Sequence, residues 1–282
     1  MGRDDWRDAA LLFLIPLLAV LLVSSLIVSF KPRRELDGHD WWRWHARPRS
    51  LPKVGEWLRS TVLPFSESPE LVQRFNGSVA AIAKALKAPG GTMVAFDGRK
   101  GGVVLMNLLQ FALRAPKRRV QADPVVFWVR LRHDFGEVSD FVERAERHYG
   151  VRVRAIEAES FREGVGEARR LCPNCSALLV GSRRQKVTCR QRSPIERVEG
   201  FDLALHAPLL DWTYGNVWAY IAALGLDYPK VYDVGYTSVG TKRDSAPNPF
   251  LRRFVDGEKT YEPAHRLRDA SKERSGRAIR IA

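Results

Sequence analysis

From residue 68 onward the chain alternates between two hydrophobic periods, and that alternation restricts it to one class of fold. "TMVAF", "PVVFWVRL" and "ALLVGS" are short apolar runs, the pattern of strands buried on both faces. "VRVRAIEA" alternates like a further strand. Helix-like stretches stand between and around them. "SPELVQRFNGSVAAIAKALKAPGG" opens with a Ser-Pro-Glu start signal and closes on glycine. "VVLMNLLQFALRA" and the weaker, glycine-containing "SFREGVGEARRL" also read as helices. In "EVSDFVERAERHYG", Val138, Phe141, Val142 and Ala145 recur on one helical face. In "TYGNVWAYIAALG", Val217, Tyr220, Ile221 and Leu224 do the same, with Thr213 as N-cap. Strands separated by helices predict an α/β domain: a mostly parallel sheet covered by helices on both faces. Ligands of such sheets bind outside the carboxyl ends of the strands.

That rule directs attention to three segments. "VAFDGRKGG", residues 94–102, ends the first strand in a glycine-rich turn. Its glycines are expected to let the backbone approach a ligand, and N–H groups opening the next helix attract anions. Arg99 and Lys100 add positive charge, so the turn is a candidate phosphate loop; the alternative is a basic turn with no ligand. "ALLVGSRRQ" places Gly181, Arg183 and Arg184 at a second strand end, where a guanidinium can reach a phosphate or stack on a ring; the alternative is a solvated charge pair. "PLLDWTYGNVW" sets Asp211 and Trp212 before a helix, as cap and core residue or as carboxylate and ring facing a ligand. The long polar segment "YDVGYTSVGTKRDSAPNPFLR", residues 232–252, has no strong period, and long ordered loops of this kind carry function.

The formal net charge of +14 favours polyanionic partners: nucleotides, nucleic acid or an anionic membrane surface. Three cysteines make no disulfide framework and suit a reducing compartment. "CPNC" has the spacing of half a metal site, but no second close Cys/His pair follows, so a turn with two thiols is the other reading. Residues 9–30 carry no charge and are long enough to cross a bilayer as one helix; a signal peptide would be shorter and better furnished for cleavage. Lys31, Arg33 and Arg34 then place the C-terminal side in the cytosol, with a mitochondrial membrane as one option. The expected organisation is a tail at 1–8, a transmembrane anchor at 9–30, a basic and aromatic linker at 31–67 and an α/β domain at 68–282.

Taken together and in this order, "PLLDWTYGNVW", "YDVGYTSVGTKRDSAPNPFLR" and "ERSGR" (273–277) resemble motifs of the eukaryotic FAD synthases. These are FMN adenylyltransferases related to the phosphoadenylylsulfate reductases. The resemblance covers roughly residues 90–280 and implies an adenine-nucleotide-hydrolase-like sheet. It also implies a reaction in which ATP and FMN give FAD and pyrophosphate with Mg²⁺, and it implies no nucleic-acid partner. The family loop reads Ser-Tyr-Asn-Gly-Gly-Lys-Asp; here Ala95, Phe96, Asp97, Gly98, Arg99, Lys100 and Gly101 stand in its place. The hydroxyl, the second glycine and the final carboxylate are gone. Gly101 and Gly102 are expected to restore backbone freedom, and Asp97 to supply a relocated carboxylate. After "GSRR" a Thr-Asp-Pro run is replaced by Gln185, Lys186 and Val187, and a later Thr-Asp pair is matched by Ile195 and Glu196.

The resemblance therefore implies a division of labour. Lys100, Arg183 and Arg277 would act in catalysis. Ala95, Phe96, Asp97, Gly98, Arg99, Gly101, Gly102 and Gly181 would hold ATP. Asp211, Trp212, Tyr232, Tyr236, Thr237, Ser238 and Asn248 would cradle the flavin, with Glu196 and Asp97 near Mg²⁺. The departures in the loop leave two outcomes: a divergent enzyme, or a membrane-anchored flavin-nucleotide binder with weak catalysis.

Overall fold

The computed structural model describes residues 68–114, 123–184, 193–198 and 200–278. The anchor at 9–30, the linker at 31–67, Gln185–Val187 and Cys189 lie outside them. Among the described residues no helix is long and apolar enough to cross a membrane. Gln73–Ala282 form one compact unit.

Helix α1 (Pro69–Ala85) leads into strand β1 (Thr92–Ala95), and α2 (Lys100–Arg114) follows. Then come β2 (Val125–Leu131), α3 (Gly136–Tyr149), β3 (Val153–Ala158), α4 (Phe161–Leu171) and β4 (Ala177–Val180). The chain continues through β5 (Ile195–Arg197), β6 (Ala204–His206) and α5 (Tyr214–Ala223). It finishes with a hairpin of β7 (Arg252–Val255) and β8 (Glu258–Tyr261) among short 3₁₀ turns.

The six-stranded sheet has the order β3-β2-β1-β4-β6-β5. All its pairings are parallel except β5 against β6, so the expected parallel sheet is present with an antiparallel edge. Every residue of β1 and β4 is buried, whereas in edge strand β3 only Ile156 is. That difference follows from position: central strands are covered on both faces and an edge strand is not. Met93, Phe127, Val129, Leu178 and Val180 meet Val165 and Ala168 of α4 in one apolar layer. Removing such side chains from water supplies about 1.5–3 kcal/mol each, the main force holding helix to sheet.

Local signals set the helix ends. The predicted face of α3 is its buried face, Val138, Phe141, Val142 and Ala145, and Gly150 closes the helix at φ 60°. Ser160 caps α4 by accepting the Glu163 N–H at 3.2 Å. Thr213 caps α5 in a reciprocal box with Asn216, the two bonds measuring 3.0 and 2.9 Å. The CPNC turn departs from the two-thiol reading. The Cys175 N–H donates to the Cys172 carbonyl at 3.2 Å, and the Cα atoms lie 5.6 Å apart, joined through a disulfide.

Running out along β1, β2 and β3 and returning to β4 puts the switch of direction between β1 and β4. A crevice forms at such a point because the connections leave on opposite sides.

Candidate active site

A cavity of about 320 Å³ opens at the carboxyl ends of these strands. Ala95, Phe96, Asp97 and Arg99 come from β1 and its turn, and Val180, Gly181 and Ser182 from β4. Val129, Leu131 and Phe161 form an apolar side. Ser238, Val239 and Gly240 come from the long polar segment, and Arg274 and Arg277 from the C-terminal one. A second concavity beside the β7–β8 hairpin holds Arg253 and Glu262, already ion-paired at 2.6 Å, and shares no residue with the glycine turn. The sheet-end cavity is therefore the candidate site.

The turn after β1 is tighter than its sequence suggests. Gly98 takes φ 61°, which a side chain resists, and the Asp97 carboxylate accepts the Arg99 N–H at 3.0 Å. Helix α2 starts at Lys100, so Gly101 and Gly102 are its first turn rather than part of an open cradle. A Cβ on Gly101 would stand 2.4 Å from the Gly181 carbonyl oxygen, and one on Gly181 2.7 Å from Gly101. These glycines let two main chains touch, joining the two strand ends that face the cavity. Two of the N–H groups expected to hold phosphate are used internally: that of Arg99 by Asp97, and that of Lys100 by the Tyr232 hydroxyl at 3.1 Å.

Lys100 and Arg183 converge on a residue the sequence reading missed. The Lys100 ammonium lies 2.8 Å from Glu273 and donates to the Thr237 carbonyl at 2.7 Å. It sits 5.3 and 5.4 Å from the ring centroids of Tyr214 and Tyr232. Arg183 Nη2 donates to both Glu273 oxygens, at 2.5 and 2.7 Å. All three side chains are buried. Burial by itself would push the Glu273 carboxyl up; Lys100 and then Arg183 outweigh it and hold that carboxyl below its ordinary range. The two cations expected to project toward phosphate are thus seated on an internal carboxylate. Glu273 belongs to "ERSGR", but nothing in that motif signals that its first residue is the buried partner.

Two of the seven residues expected at the flavin, Thr237 and Asn248, tie the polar segment to the C-terminal one. Asn248 is fully buried and donates to the Thr237 hydroxyl at 2.7 Å and the Lys272 carbonyl at 2.8 Å. Thr237 donates to the Glu273 carbonyl at 2.6 Å. Tyr232 is buried, which raises its phenol pKa. Tyr236 packs edge-on against Phe135, 5.2 Å between centroids. Of that group only Ser238 lines the cavity. Trp212 is a core residue: its indole N–H donates to Ser78 at 2.9 Å and its ring meets Tyr220 edge-on. Asp211 is exposed and pairs with Arg184 at 2.8 Å. Neither lines the cavity, because the chain before α5 turns them toward α1 and Arg184.

Glu196 sits on edge strand β5, accepting the Ser193 N–H at 2.7 Å, and is not a cavity residue. Among the described residues no cluster of three or more His, Cys, Asp or Glu side chains could hold a metal by itself. Asp97 alone of the two expected carboxylates reaches the cavity. Arg277 lines it and is oriented by Asp244 at 2.7 Å and Ser245 at 3.2 Å. Burial would raise the Asp244 carboxyl, but the Thr241 N–H and Arg277 bring it below its ordinary range. Arg274, whose carbonyl accepts the Arg277 N–H at 2.8 Å in a turn, is a further lining cation not singled out in the sequence. Its proximity to Arg277 in "ERSGR" was the available signal.

Comparison with known proteins agrees with this geometry. Residues 166–247 match the phosphoadenosine phosphosulfate reductase domain family. A probable FAD synthase of Schizosaccharomyces pombe is 34% identical over 199 residues, covering 67% of this chain and 72% of that protein. A probable FAD synthase of Caenorhabditis elegans is 26% identical over 86% of this chain, which spans only 46% of that longer relative. The crystal structure of Candida glabrata FMN adenylyltransferase in complex with FAD and inorganic pyrophosphate has the same fold. It superposes with a TM-score of 0.65 at 17% identity, over 78% of this chain and 96% of that one. With a relative one-third identical over most of both sequences, and this sheet beneath it, the chain belongs to the FAD synthase family.

Proposed function

We propose that this protein transfers the adenylyl group of ATP to FMN, giving FAD and pyrophosphate. The observation that carries the reading is the cavity at the β1/β4 switch, where Asp97, Ser182, Arg274 and Arg277 converge. It is supported by a fold shared with an adenylyltransferase whose structure holds both products. An FMN phosphate oxygen attacks the α-phosphorus of ATP; one P–O bond forms, the bond to the β-phosphate oxygen breaks, and pyrophosphate leaves. Such a reaction needs alignment and charge neutralisation more than a covalent group from the protein. Arg274 and Arg277 supply cations on the cavity wall, and Lys100 and Arg183 add a net positive field behind it. Mg²⁺ takes one or two carboxylates together with substrate phosphates, and Asp97, which lines the cavity, would be its carboxylate ligand. When bound, the ion would supply neutralisation of phosphate charge.

The full chain supplied with ATP, FMN and Mg²⁺ should form FAD and pyrophosphate in equal amounts. Bound flavin without pyrophosphate release would make the protein a binder. Lys100→Ala should lower kcat by about 10²–10³, the scale of losing one preorganised electrostatic group. Its melting temperature should stay near that of the parent, because Arg183 still balances Glu273. Unchanged turnover removes Lys100 from the mechanism.

Residues 9–30 tether this domain to a bilayer in a single pass, with the domain on the cytosolic side. The support for this is the uncharged run itself and the cations that follow it. Alkaline washing of membranes should leave the full chain in the pellet, and its release would contradict an anchor.

A further inference from the structure

Arg99 occupies the position at which the resembling family loop has its second glycine. A side chain introduced into a phosphate loop would be expected to point at phosphate. This one lines the cavity, yet its guanidinium is almost wholly taken up by protein acceptors. Its Nε donates to the Val239 carbonyl at 2.9 Å, and its Nη1 to the Asp97 carbonyl at 2.8 Å. Nη2 donates to the Gly240 carbonyl and to Asp134, each at 2.9 Å. Four of the five guanidinium N–H groups therefore have partners, in the planar fork that only arginine presents.

These bonds join three separate pieces of chain: the turn after β1, the turn after β2 and the polar segment at 238–240. Val239 and Gly240 both line the cavity. A second tie follows, with the Lys242 N–H donating to the His133 carbonyl at 2.8 Å. Gly240 in turn abuts Arg277: a Cβ there would lie 1.9 Å from its guanidinium. The Gly240 N–H also donates at 2.9 Å to the Ser245 hydroxyl that orients Arg277. A continuous chain of contacts thus runs from Arg99 through Gly240 to a lining cation.

We propose that Arg99 is a positioning residue that fixes segment 238–240 as a preformed wall of the nucleotide cavity and, through Gly240, sets Arg277. This rests on the adenylyl-transfer reading for its kinetic consequence, though not for its structural one. Fixing a wall before binding removes an ordering cost from binding rather than from the chemical step. The segment lies on the flavin side of the family resemblance, so the substrate affected is FMN.

The test pairs kinetics with hydrogen exchange on the ligand-free full chain. Arg99→Ala should raise KM for FMN about tenfold while kcat changes by less than about threefold, the signature of lost binding rather than lost transition-state stabilisation. Exchange at the amides of Gly240 and Lys242 should accelerate about tenfold or more as the segment opens locally. Arg99→Lys, which keeps the charge but not the fork, should fall between the two and guards against a misfolded alanine variant. Adding Asp134→Asn to Arg99→Ala should cost little more than Arg99→Ala alone, because both remove the same tie. A fall in kcat with KM and exchange unchanged would assign Arg99 to the phosphates and overturn the proposal, as would exchange at wild-type rates in Arg99→Ala. If the parent chain makes no FAD, the adenylyl-transfer reading fails while the exchange arm still decides the clamp.

Discussion

Glu273→Gln should lower the melting temperature of the full chain by roughly 10 °C at neutral pH, following a loss of about 3–5 kcal/mol. Glutamine keeps the shape of the side chain and removes its charge. Lys100 and Arg183 would then be left facing each other across a buried site with no anion between them. The cost comes less from the lost attraction than from the stranded cations, which water cannot reach. A cycle separates the two. Lys100→Met alone leaves the neutral Arg183–Glu273 pair and should be milder, and the double variant should cost less than the sum of its parts. The pH dependence has a definite sign. Glu273 titrates below its ordinary value of 4.5 in the folded protein, so its stabilisation is complete above that value and is lost as pH falls through the folded pKa. The gap in melting temperature between parent and Glu273→Gln should therefore narrow below about pH 4.5. A gap that stays constant down to acid unfolding, or none at pH 7, contradicts the role assigned to this carboxylate.

Gly101→Ala should destabilise by about 2 kcal/mol and cut turnover by about 10², although alanine is the better helix former by about 1 kcal/mol. Propensity and packing predict opposite signs here, and the magnitudes decide. The new methyl would lie 2.4 Å from the Gly181 carbonyl oxygen, a main-chain atom of the segment following β4. Main chain cannot rotate aside as a flexible side chain can. Relief requires moving the start of α2 away from the end of β4, and those elements carry Lys100 and Arg183 to their common partner. Gly181→Ala tests the same contact from the other side. Gly77→Ala, in helix α1 with nothing within 4 Å of the added atom, is the control and should stabilise by about 0.5–1 kcal/mol. Thermal unfolding and FAD formation measure all three. Equal behaviour of Gly77→Ala and Gly101→Ala would mean that the α2–β4 contact has slack.

Several elements were legible because their signals are local. The apolar face of α3, the Thr213 cap and the continuous apolar runs of β1 and β4 depend on residues close in sequence, and each stands where it was expected. The β7–β8 hairpin was equally local and was overlooked: Asp256 and Gly257 both take positive φ, the turn that an Asp-Gly pair favours. The β5–β6 pairing had no such mark, since three-residue strands offer too little period to read.

Of the residues singled out in the sequence, Arg277, Asp97 and Ser238 line the cavity. Trp212 and Asn248 do not line it, and the physical reason is general. An aromatic ring or an amide serves a core or a loop scaffold as well as a ligand, and its sequence neighbours do not distinguish the uses.

The alternating α/β fold, the strand ends at which ligands gather and the family could all be read from the amino acids alone. Hydrophobic period and short motifs act over a few residues and survive without knowledge of the rest. It takes the folded chain to reveal that Lys100 and Arg183 share Glu273, that Arg99 bonds to Val239, Gly240 and Asp134, and that Gly101 meets Gly181. Those contacts join residues far apart in the chain, where charge pairing and close packing are settled by which surfaces the fold brings together.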